Sequence, residues 1–148
     1  HPAFSFFSTL SDMMHFIAHF APGGPRIHSE LTIRAMTTDQ TGMVTGTHPA
    51  LSALPEPTRI AWGLGFMLQT PHLPSLFSDF ASSHSFGHGG ASGCMIVVDP
   101  ELELSIVILS NAHLNSGREM WFRRLQLLMN ASFVQFGSVG VSPRKIGF

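Results

Sequence analysis

The sequence predicts an α+β fold in which three or more antiparallel strands are flanked by helices. Three observations carry this. Apolar residues recur at helical spacing near the start (Leu10, Met13, Met14, Ile17, Phe20) and near the end (Met120, Trp121, Leu125, Leu128, Met129, Phe133). Cys94 to Val98 and Leu102 to Leu109 are apolar runs separated by the short turn Asp99-Pro100-Glu101, which is the pattern of an antiparallel hairpin. Both faces of the second run become apolar toward its end, as expected when helices cover a sheet on each side.

Each element has its own signals. Ser8 or Thr9 can cap the first helix, and Pro22-Gly23-Gly24-Pro25 ends it. Ser29 can cap a shorter helix through about Met36, and Gly46 to Pro57, rich in prolines and small residues, reads as a loop. Ile60 to Leu68 reads as one strand, and Thr70 to Ser85 as a connecting loop bordering a site. Leu102 to Leu109 is expected inside the sheet, and about Ser116 to Phe136 forms the terminal helix packed on one sheet face. The tail 137–148 is too short to fold alone and is expected to dock on a neighbour.

Composition narrows the function. Asp, Glu, Lys and Arg make up 11% of the 148 residues, against about 25% in typical soluble domains. Either much of the exterior faces protein, or Ser, Thr, Asn and His supply its polarity. A net charge of −1 without a basic stripe gives no electrostatic footprint for nucleic acid. The longest apolar runs are broken by acidic residues before they reach the length of a membrane span. The start at His1 implies a cleavage product, an artificial boundary or an unassigned upstream region.

Site chemistry is narrowed in the same way. A single cysteine, Cys94, excludes an internal disulfide and a four-cysteine metal site. On one extended strand it would lie about 20 Å from His88 at ~3.3 Å per residue, so it reads as a buried, inert thiol and not as a nucleophile. Among nine histidines, His15 and His19 are a pair at i, i+4 spacing within a predicted helix, but Phe16 stands where a zinc protease needs glutamate. No metal or cofactor is expected, and phosphate-cradling glycine motifs and Gly-x-Ser-x-Gly are absent. Asn130-Ala131-Ser132 fits the glycosylation triplet but falls in the terminal helix, where it is expected to stay unmodified.

The most informative stretch is Phe86-Gly87-His88-Gly89-Gly90-Ala91-Ser92-Gly93. Its four glycines strip side chains from the surface at the mouth of a strand, where a ligand could approach the backbone. His88 there has two readings, a site residue or a turn histidine. His88-Gly89-Gly90-Ala91 resembles the third motif, Lys-Thr-Gly or His-x-Gly plus a small residue, of the serine β-lactamase, D,D-peptidase and related esterase superfamily. Trp62-Gly63-Leu64-Gly65-Phe66 is similar to the family strand before that motif. Val98-Asp99-Pro100-Glu101 and Leu104 to Asn111 are similar to the strands after it, and the resemblance spans about residues 8 to 136.

The family's other motifs do not accompany it. There is no tyrosine and no Ser-x-Asn, and the one Ser-x-x-Lys, Ser142-Pro143-Arg144-Lys145, follows the third motif and reads as a chance match. The resemblance therefore implies a single partial domain, the C-terminal portion of the β-lactamase/transpeptidase-like fold. Residues 8–57 form a helical and loop segment, 58–136 the strands and terminal helix, and 137–148 the tail. It further implies acyl transfer through a serine ester, with His88 as polar or proton-transfer partner, the Ala91 amide as oxyanion donor, and Gly89 and Gly90 as a low substrate-binding wall. The chain is not expected to be active alone. A companion polypeptide or upstream segment would complete the sheet and bring the nucleophile. The alternative is a structural subunit of a larger assembly with its chemistry lost. Family precedent for localisation is periplasmic or secreted in bacteria and mitochondrial in eukaryotes.

Overall fold

The structure, a computed structural model, describes residues 6–42, 45–46, 58–59, 61–70, 77–90, 92–111 and 118–136. Helix α1 (Leu10–Ala18) is capped by Thr9, not Ser8: the Thr9 hydroxyl accepts the Asp12 N–H at 3.1 Å. Helix α2 (Glu30–Met36) starts on Ser29, whose hydroxyl accepts from the Thr32 N–H at 3.2 Å. Two-residue strands β1 (Thr45–Gly46) and β2 (Thr58–Arg59) pair with each other, and the expected loop between them lies outside the described residues.

The main sheet has five antiparallel strands in the order β3 (Ala61–Trp62), β4 (Met67–Leu68), β5 (Phe86–Gly89), β6 (Met95–Asp99) and β7 (Leu104–Ile108). The single strand predicted over 60–68 is two. Gly65 takes φ +93°, a region that glycine enters without steric cost, and the Gly63 N–H donates to the Phe66 carbonyl at 2.9 Å, so the chain folds back on itself. Gly63 also carries no Cβ for a packing reason, since one would lie 1.9 Å from the Met36 carbonyl oxygen at the end of α2.

Alternation along the strands sends side chains to two faces and gives two cores. On one face Phe86 and Val98 pack with Ile17, Phe20 and Phe66, beneath α1. On the other, Met67, Met95 and Val97 pack with Phe77 and with Leu125, Met129 and Phe133 of α3 (Arg118–Phe136). Three expected core positions do not fit: Leu10 and Leu128 are each about half exposed, and Met14 is exposed as well. The run 102–109 pairs only from Leu104, because the turn is longer than expected and Glu103 takes φ 53°. β7 lies at the sheet edge, not inside it. All five of its residues are half-buried, and β6 is its one partner strand among the described residues.

The segment before β5 is held by one carboxylate. Asp99 is fully buried at the end of β6. Its Oδ2 accepts from the Ser82 N–H and the Ser85 hydroxyl, each at 2.7 Å, and its Oδ1 accepts from the Ser82 hydroxyl at 2.9 Å. Oδ1 also accepts from the Glu101 and Leu102 N–H groups of the β6–β7 turn, each at 3.1 Å. Nearby, Asn130 of α3 accepts from the Ser78 hydroxyl at 2.8 Å and donates to Asp79 at 2.7 Å, so the amide of the glycosylation-like triplet ties helix to loop.

Removing the Asp99 side chain strands several donors in the interior. Asp99→Ala is expected to lower the unfolding free energy by about 3 kcal/mol or more in urea denaturation. Asp99→Asn should also destabilise, because its amide nitrogen must face at least two donors. A loss below about 1 kcal/mol for both variants would remove Asp99 from this role.

Candidate active site

The glycine-rich run is a hairpin. β5 and β6 pair Phe86 with Val98, Gly87 with Val97, His88 with Ile96 and Gly89 with Met95. The Gly90 N–H donates to the Cys94 carbonyl at 2.8 Å, and the Gly93 N–H to the Gly90 carbonyl at 2.9 Å. Cys94 therefore sits across the turn from Gly90, and the expected 20 Å extended separation from His88 does not occur. Its thiol is half-buried, donating to the Ser110 carbonyl at 3.3 Å and accepting from the Ser110 N–H at 3.4 Å and the Ser92 hydroxyl at 3.3 Å.

The glycines of the run do different jobs. A Cβ on Gly87 would lie 2.2 Å from the Ile96 carbonyl oxygen and 3.1 Å from the Phe77 ring, so this position is fixed by packing. Among the described residues a Cβ on Gly89 would meet the Met95 methyl at 3.4 Å and the Cys94 carbonyl oxygen at 4.0 Å, and one on Gly90 would meet Ser92 Oγ at 3.7 Å and the same carbonyl oxygen at 3.9 Å, ordinary contacts that a methyl group can make. Gly89 is half-buried and Gly90 exposed. Those two leave little side-chain bulk beside His88. Ala91 lies outside the described residues, as does the Ser142 to Lys145 segment.

His88 is exposed, and its ring meets the Trp62 indole edge to face, with centroids 5.6 Å apart and planes at 63°. Because Met67 pairs with Gly87 in antiparallel register, the β3–β4 turn and the β5–β6 turn lie at the same end of the sheet. The structure thus joins His88, Gly89 and Gly90 to a residue that sequence reasoning did not place in the site. The available signal was a tryptophan immediately before a two-glycine turn. Among the described residues no group of three or more His, Cys, Asp or Glu is placed to hold a metal ion, and no helix is long and apolar enough to cross a membrane.

An antiparallel sheet clad by helices on both faces, with a His-Gly-Gly hairpin at one end, defines the C-terminal portion of a β-lactamase-type α+β fold. A family model described as Beta-lactamase matches residues 1–129, and the chain belongs to that family. Its structure is similar to the crystal structure of a beta-lactamase from Mycobacterium bovis, with a TM-score of 0.73 and 26% sequence identity. The match covers 88% of this chain and 45% of that one, so the chain spans less than half the length of this relative. No curated protein matches it.

The division among the glycines is testable. Gly87→Ala is expected to unfold the hairpin or cost several kcal/mol, since backbone must move to admit the methyl group, whereas Gly89→Ala should stay within about 1 kcal/mol of the parent. Thermal melts of both variants check this, and equal losses would overturn the distinction.

Proposed function

We propose that this chain supplies the third-motif wall of a β-lactamase-like serine hydrolase of the esterase or peptidase type. On this reading it is a single partial domain, and a companion chain or upstream segment completes the sheet along β7 and carries the serine nucleophile. The observation that supports this best is the hairpin: an exposed histidine beside two open glycines, at one end of a sheet belonging to the Beta-lactamase family.

The chemistry of acyl transfer assigns the roles. Attack on an ester or amide carbonyl places negative charge on its oxygen, and a fixed backbone N–H aimed at that oxygen stabilises the transition state more than the ground state. Ala91, next after the low glycine wall, is the proposed donor. His88 is the polar partner that interacts with the substrate or assists proton transfer. Gly89 stands where the family's motif carries a hydroxyl, so the wall offers no side-chain hydroxyl to a substrate carboxylate. That favours esterase-like substrates over lactams.

A serine-directed fluorophosphonate probe applied to the native material, with any companion chain retained, tests this. A labelled serine on the upstream segment or on a co-purifying chain is expected. Ala91→Pro, which removes the amide proton, should slow labelling about 10²- to 10³-fold. Absence of label on every associated polypeptide would sink the hydrolase reading and leave the structural-subunit alternative.

A further inference from the structure

We infer that Trp62 is the positioning residue of this site, fixing the imidazole of His88 at the edge of the glycine wall. The inference rests on the reading of His88 as a site residue. His88 needs such a partner because Gly90, the next residue on its side of the chain, has no side chain to pack against it, and the ring is exposed. The Trp62 indole packs edge to face on that ring.

Trp62 is itself held from several sides. Its side chain packs against the core formed with α3. Its backbone carbonyl accepts the Gln40 N–H at 2.7 Å, and its own N–H donates to the Thr41 hydroxyl oxygen at 3.3 Å. That hydroxyl in turn donates to Asp39 Oδ1 at 2.7 Å, and the Thr41 N–H donates to the same oxygen at 2.8 Å. The Met36 carbonyl packs on the Gly63 backbone directly after the tryptophan. The segment following α2 therefore sets the β3 backbone, and the edge-to-face aromatic contact carries that order to His88.

The test uses the full chain and proton NMR of the histidine rings, with the His88 signals assigned by their loss in His88→Gln. In the parent these signals are expected to be displaced by the indole ring current from those of other exposed histidines. The displacement should vanish in Trp62→Leu and persist in part in Trp62→Phe. Unchanged His88 signals in a folded Trp62→Leu variant would overturn the inference. Where Trp62→Leu does not fold, the reverse measurement decides. In a Trp121→Phe background, replacing His88 with Leu should change indole emission by removing the ring packed against Trp62, and no change would overturn the inference. Neither readout depends on catalysis, so fluorophosphonate labelling judges the hydrolase reading separately.

Discussion

The buried Asp99 carboxylate is the constraint from which the geometry of the site descends. A fully buried charge persists only when its lone pairs are satisfied, and here five N–H and O–H groups do so from two directions. Three come from Ser82 and Ser85, just before β5, and two from the turn that starts β7. One side chain therefore fixes where β5 begins and how β6 returns. The register that follows puts His88 opposite Ile96 and Gly89 opposite Met95. A slip of one residue would turn His88 to the opposite sheet face.

A second layer of order comes from close backbone approaches. Gly63 sits under the Met36 carbonyl and Gly87 under the Ile96 carbonyl, both too near for a side chain. The first locks the α2 end to β3, and the second lets Phe77 cover the sheet between β5 and β6. The open glycines at 89 and 90 lie beyond these tight contacts. The tight contacts thus give way to an open rim at residues 89 and 90.

Much of this was legible in sequence where one signal dominated. Thr9 and Ser29 caps, the Asp99-Pro100-Glu101 turn and the helical spacing of Leu125, Met129 and Phe133 each gave the correct element type. The failures have physical causes. Periodicity cannot distinguish one strand of nine residues from two short strands around a glycine turn, which is how Trp62 was separated from His88 in the linear reading. The glycine run has no sequence signal that separates an extended strand from a turn, and Gly93 at φ 77° with the Gly90–Cys94 bond makes it reverse. Asp99 was legible as a turn residue but not as a hub, because its partners Ser82 and Ser85 lie in a stretch with no periodic pattern.

The edge strand brings composition and topology together. β7 carries Leu104, Ile106, Val107 and Ile108 with only Ser105 among them, so neither charge nor proline defends its outer hydrogen-bonding edge. Edge strands left in that state template pairing with other chains. Much of the chain's polarity is supplied by neutral groups, as at Ser29, Thr41, Ser82 and Asn130, and these are already committed to internal bonds. The composition of this edge, which has β6 as its one partner strand among the described residues, is the physical ground for the completing segment proposed along β7. The same cover would border the sheet on the side away from Trp62, and Trp62 would remain on the His88 side of the rim with its contact intact.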